Sequence, residues 1–117
     1  MRNSAYNARM NYTEAESRAA IFKALAHPVR VLIVDALRAG ERCVCELNEL
    51  APIDPSGISR HLAVLKQAGI LADRHEGTWV YYRLQTPCVL DAVHCAVEVA
   101  RADAVHRNAR CAAGAPA

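Results

Sequence analysis

One stretch limits the folds open to this chain more than any other: a helix predicted from Asp54 or Pro55 to Gly69. Advancing about 100° per residue from Ile58 brings Leu62, Leu65 and Gly69 within about 40° of it. Ser56, Ser59, Arg60, Ala63, Lys66 and Gln67 fall on the opposite half. One side is therefore a core stripe, and the other carries hydroxyls, a guanidinium, a small residue and an ammonium. Small polar residues let a helix approach a nucleic-acid groove closely, and arginine pairs bidentately with guanine. Lys66 suits phosphate, a contact that positions without reading sequence. A solvated surface helix has the same look, so the flanking segments decide between the two.

Those segments form a pattern. Thr13 is the expected cap of a first helix, with Glu16 closing a capping box, and Ala19, Ile21, Phe22 and Leu25 run along it. His27-Pro28 breaks that helix, and Pro28 fits the first position of a second, largely buried through Val31, Leu32, Val34, Ala36 and Leu37 and ended by Gly40. A short third helix is expected from about Cys45 to Leu50, then a turn at Ala51-Pro52-Ile53. After the 54–69 helix, residues 71–76 and 78–84 flank Gly77 and read as a hairpin. Thr86-Pro87 is the expected cap of a last helix carrying Leu90, Val93, Val97 and Ala100. The order predicts a mainly α fold with a β-hairpin wing: helices three and four make a helix-turn-helix, and the hairpin is the wing.

With 117 residues the chain holds one domain, expected over 13–108 between an N-terminal arm (1–12) and a flexible tail (109–117). A core this small favours burying more surface in a dimer. Hydrophobic residues are 53% and aromatics 5%, which favours a helical architecture. The net charge of +2 does not itself mark a nucleic-acid binder, so the placement of basic residues carries that reading. On the wing, Arg74, His75 and Arg83 are read either as phosphate or minor-groove contacts or as solvated strand charge. His61 falls beside the core stripe, open to a DNA contact or to a role satisfying a neighbour. No apolar run reaches membrane-spanning length and no secretory signal is seen, so a cytoplasmic location with reduced thiols is expected.

Five cysteines cannot all pair within one chain, which points to metal binding or redox sensing. Cys43-Val44-Cys45 stands just before the helix-turn-helix. On a regular helix these two side chains would point about 200° apart, so they converge only if Cys43 lies in non-helical backbone. A helix start and the adjacent Arg42 favour thiolates, which bind soft ions. The plainer reading is a pair of buried apolar cysteines.

Ala24-Leu25-Ala26-His27-Pro28-Val29-Arg30, Ser59-Arg60-His61-Leu62-Ala63-Val64-Leu65, Gly69-Ile70-Leu71 and Gly77-Thr78-Trp79-Val80-Tyr81-Tyr82-Arg83-Leu84 together resemble the ArsR/SmtB metalloregulators over roughly residues 13–106. The resemblance implies a winged helix-turn-helix homodimer joined through its first and last helices. It implies a repressor that binds double-stranded operator DNA and is released by an inducer, not an enzyme and with no membrane partner or organic cofactor. Ser56, Ser59, Arg60, His61, Lys66, Gln67, Arg74 and Arg83 are then the expected DNA contacts. His27 stands where the family often has Asp, the better helix cap.

Arg42-Cys43-Val44-Cys45-Glu46-Leu47 resembles the Cys-Val-Cys of arsenic- and antimony-responsive members, so As(III) or Sb(III) is the expected inducer at Cys43 and Cys45. Those members often place a third cysteine where this chain has Asn48. Two thiolates then suffice, or a third comes from Cys88, Cys95, Cys111 or an exogenous thiol. The family's Asp-x-His site on the last helix is not matched: Asp91, His94 and His106 are present, but position 93 is Val. The alternative signals for the same repressor are Cd, Pb or Zn, and thiol oxidation or persulfide formation.

Overall fold

The computed structural model describes residues 9–112, with side chains as far as Asn108. The first helix, α1 (Tyr12–Leu25), starts two residues earlier than expected: Asn11, not Thr13, is its cap. The Asn11 side chain accepts from the Glu14 N–H at 2.9 Å, and Glu14 accepts from the Asn11 N–H at 2.8 Å, a capping box that satisfies two orphan donors. Most of the expected arm, and residues 113–117 of the expected tail, lie outside the described residues.

Helix α2 (Pro28–Ala36) follows at once, with Pro28 at its start and His27 as its cap. The missing Asp is replaced by the imidazole: His27 Nδ1 accepts from the Val29 N–H at 3.1 Å. A 3-10 turn (Leu37–Ala39) and Gly40 end this unit. Val29, Ile33, Val34 and Leu37 face the core, whereas Val31 and Leu32, expected inside, are exposed.

Next come a two-residue strand β1 (Arg42–Cys43), α3 (Val44–Leu47), α4 (Pro55–Gln67), β2 (Leu71–Glu76), β3 (Trp79–Leu84) and α5 (Val89–Ala112). The wing is a three-stranded antiparallel sheet in the order β1-β3-β2, because Arg42 pairs with Tyr82 and Cys43 with Tyr81. Two residues carry no alternation signal, so β1 was not foreseen. Gly77, at φ 63°, makes the two-residue turn between Glu76 and Trp79, a conformation that favours glycine. Gly69, at φ 86°, ends α4; the Ile70 N–H then donates to the Leu65 carbonyl, closing the helix in a Schellman-like cap.

Helix α5 begins at Val89, and the Thr86 hydroxyl does not cap it but donates to the Gly69 carbonyl at 3.0 Å. The helix runs through Ala112, into the segment expected as tail. No described helix is long and apolar enough to cross a membrane.

The core lies where α2, α3, α4 and the base of the wing meet, with Ile33, Leu47, Ile58, Leu62, Leu65 and Leu71 essentially inaccessible. The stripe on α4 is thus the side that packs, as its periodicity predicts. Leu62→Ala removes a side chain that is 1% exposed and is expected to cost about 2–5 kcal/mol. Urea denaturation at fixed protein concentration measures it; a loss below about 1 kcal/mol would mean this centre repacks freely.

Candidate functional site

Asp54 starts α4. Its carboxylate accepts from the Gly57 N–H and from the Ser56 hydroxyl, each at 3.0 Å, and the Gly57 bond first, then Ser56, holds it below the usual carboxylate range. A Cβ on Gly57 would stand 3.0 Å from Asp54 Oδ1 and 3.2 Å from Ile53 Cδ1, so this turn fits glycine best. The helix that follows presents Ser56, Ser59, Arg60, Ala63 and Gln67 to solvent.

The expected DNA contacts separate into two groups. Arg60 and Arg83 are exposed and stand outside the ion pairs found among the described residues. Lys66, expected on the opposite half, lies only about 80° around the helix from Ile58, against the wing, where Nζ meets Asp73 Oδ2 at 2.9 Å. Arg74 binds Glu41 at 2.8 Å and Glu76 at 3.1 Å and lies 4.4 Å over the Tyr81 ring. The hydrogen bond to Glu41, then that to Glu76, raises the Arg74 pKa. The Glu41 tie was missed because Glu41 and Arg74 are 33 residues apart, beyond any local pattern.

His61 turns away from the outward face. Its Nδ1 accepts from Arg30 Nε at 3.1 Å, and its ring lies 4.2 Å from that of His27. Arg30 Nη1 also donates to the Ala24 carbonyl at 3.1 Å, so one cluster ties α1, α2 and α4 together. His61 uses Nδ1 as an acceptor, which a protonated ring cannot do. Burial first, then the His27, Arg30 and Arg60 charges, lowers the His61 pKa. A histidine depressed in the folded state gives full stability above its ordinary value of 6.5, and that stability falls as pH drops through this value. The urea midpoint is therefore expected to fall from about pH 7 to about pH 5. His61→Gln, which can still accept without titrating, should flatten that part of the profile; an unchanged slope would remove His61 as its source.

The cysteine pair sits where wing and α3 join. Cys43 is extended (φ −71°, ψ 147°) and caps α3, so it lies outside the helix as convergence requires. The two Cα atoms are 5.3 Å apart and the two sulfurs are brought into direct contact. The Cys45 N–H donates to Cys43 Sγ at 3.2 Å, and the Cys43 N–H donates to Glu46 Oε1 at 3.1 Å. Arg42 is turned from the sulfurs, onto Glu46 and the Ala36 carbonyl. A cleft of about 400 Å³ opens here, lined by Cys43, Cys45, Asn48, Ser59, Trp79 and Tyr82 among others. Asn48 Oδ1 is buried without a hydrogen-bond partner among the described residues. Reduced, the pair offers two soft donors to one small thiophilic ion.

The other cysteines are elsewhere. Cys88 lines a cavity against Ile21 and Leu25. Cys95 lines a groove of about 510 Å³ with Phe22, Val31, Val93, Val97 and Val99. The Cys111 backbone is in α5, but its side chain lies outside those described. The groove leaves Phe22 62% and Val99 64% exposed, an apolar face of α1 and α5 of the kind that marks an interface.

A sequence family described as "Bacterial regulatory protein, arsR family" matches residues 27–73. The arsenic resistance transcriptional regulator ArsR1 of Pseudomonas putida is 47% identical over 76 residues, covering 62% of this chain and 59% of that protein, so the match spans little more than half of that relative. The transcriptional repressor SdpR of Bacillus subtilis is 35% identical over 74 residues, covering 63% of this chain and 82% of that protein. The homodimeric winged helix-turn-helix DNA-binding domain Mb0332 of Mycobacterium bovis superposes with a TM-score of 0.68 at 30% identity, covering 85% and 94% of the two chains.

Proposed function

Because this chain belongs to the ArsR/SmtB family of bacterial regulatory proteins, whose fold is that of a DNA-binding regulator rather than an enzyme, we propose that it is a homodimeric repressor released from operator DNA when Cys43 and Cys45 bind As(III) or Sb(III). The observation that carries this reading is one shared cleft. The two cysteines, Ser59 of the reading helix, and Trp79 and Tyr82 of the wing all line it.

Cys43 belongs to a strand hydrogen-bonded to β3 of the wing, and Cys45 to a helix whose Leu47 is fully buried in the core with Ile58 and Leu62 of α4. The thiolates of both residues, held on one ion, fix the junction between these parts. DNA binding needs α4 and the wing at a set separation, since α4 enters the major groove while the wing meets the flanking backbone. A ligand that favours another setting of the junction disfavours the DNA-bound form, and the coupling is reciprocal. On the DNA side, Arg60 is the base-reading residue. Ser56, Ser59 and Gln67 are its polar neighbours, Arg83 is a phosphate contact, and Lys66 and Arg74 chiefly brace the wing. The apolar groove between α1 and α5 is covered by a second copy, which also accounts for the exposed Val31.

The single tryptophan, Trp79, is a built-in reporter. Arsenite added to the reduced protein should change its fluorescence saturably, with Sb(III) competing and Cd(II), Pb(II) and Zn(II) competing weakly. Displacement by the divalent ions at equal concentration would reassign the inducer.

The direct approach of the two sulfurs favours a second reading in which oxidation is the signal. Peroxide takes two electrons from the dithiol, forming the S–S bond and two waters, and the bonded sulfurs can no longer hold an ion. Operator release by peroxide, reversed by a reductant, would support it.

A further inference from the structure

We propose that the ion at Cys43 and Cys45 keeps one hydroxyl group, and that Asn48 recognises that hydroxyl. The inference rests on reading the two cysteines as the inducer's thiols. Asn48 follows Cys45 by three residues with helical dihedrals (φ −62°, ψ −15°), so the two side chains are neighbours on one face. Both line the cleft that contains Cys43. Asn48 Oδ1 is buried and has no hydrogen-bond partner among the described residues, a costly state for an acceptor that a bound donor relieves.

Arsenite supplies that donor. When As(OH)₃ meets the two thiols, two As–O bonds break and two As–S bonds form. Each thiol proton leaves with a hydroxide as water, and arsenic remains trivalent. One As–OH is left, and its O–H is matched by an acceptor that has no other partner among the described residues. Among the described residues, the carboxylate and the other thiols that could take the third bond are placed elsewhere. Asp73, at the cleft wall, accepts from Lys66 and lies 3.6 Å from His75, and Cys88 and Cys95 line other cavities. The ligand class is thus a trivalent hydroxide with two exchangeable positions and one retained hydroxyl.

The test uses reduced full-length protein in buffer free of added thiols. X-ray absorption of the arsenite-loaded protein should count two sulfurs and one oxygen; three sulfurs would overturn the proposal. Asn48→Ala should weaken arsenite binding roughly tenfold. It should leave phenylarsine oxide unaffected, because that ligand's third bond is to carbon and no hydroxyl remains after two thiolates bind. Equal weakening of both ligands, or none, would overturn it. Asn48→Cys should raise the count to three sulfurs and tighten arsenite binding. Arsenite affinity unchanged in Cys43→Ser would sink the underlying reading and this inference with it. A loss in Cys43→Ser with Asn48→Ala indifferent would sink this inference alone.

Discussion

Cys43→Ser and Cys45→Ser are expected to bind operator DNA as the parent does and to be deaf to arsenite. The substitution removes only the soft donor. A serine at position 43 still offers an oxygen to the Cys45 N–H, which now donates to Cys43 Sγ, and serine is a preferred residue at a helix start. Cys45 is exposed, so a hydroxyl there meets water. Neither change therefore has a strong reason to unfold the chain. The parent needs about 2.7 kcal/mol of differential binding to lose DNA affinity a hundredfold, and a single remaining thiolate cannot draw wing and α3 onto one ion. Titrating arsenite into each reduced protein on labelled operator, with anisotropy as the readout, gives the answer. Normal release of either variant would mean that the pair is not the sensor.

Arg60→Ala should weaken specific DNA binding by about 1–3 kcal/mol, roughly five- to more than a hundredfold, and relax discrimination at one base pair. Arg60 projects from the exposed face of α4 and stands outside the ion pairs found among the described residues, so its guanidinium is available for a base edge. Its removal leaves the core stripe intact, and the unfolding midpoint should move little. Lys66→Ala is the contrasting variant: its ammonium is held by Asp73 at 2.9 Å. It should lower affinity less and more evenly across sequences. Comparing the two on specific and scrambled duplexes at two salt concentrations separates base reading from phosphate contact. Equal losses on both duplexes for Arg60→Ala would make it a positioning residue.

The helix order and the wing were legible because each rests on local rules. Ile58, Leu62 and Leu65 repeat at helical spacing, Pro28 and Gly69 punctuate, and Gly77 turns the hairpin. The cap of α1 was misassigned to Thr13 because Asn11 with Glu14 and Thr13 with Glu16 obey the same capping rule, and nothing local ranks them. Strand β1 was illegible because its residues become a strand only by pairing with Tyr81 and Tyr82, almost forty residues on. For the same reason the ties of Arg74 to Glu41 and of His61 to Arg30 could not be read. They are tertiary contacts, and they hold Arg74 and His61 against neighbouring side chains. Backbone geometry gave only the condition for Cys43 and Cys45 to converge, a non-helical Cys43, and its extended dihedrals meet it. The buried Oδ1 of Asn48 needed coordinates, since a sequence says which residue replaces a cysteine but not whether its oxygen has a partner.

The central claim is that the cysteine pair and the DNA-reading helix are coupled through the cleft they share. Linkage makes that claim quantitative: whatever factor arsenite takes from operator affinity, the operator must take from arsenite affinity. The direct measurement is the arsenite dissociation constant of the reduced protein, free and saturated with operator duplex, set beside the operator dissociation constant with and without arsenite. The account predicts equal factors, on the order of a hundredfold. Arsenite affinity that is the same on and off the DNA would contradict it.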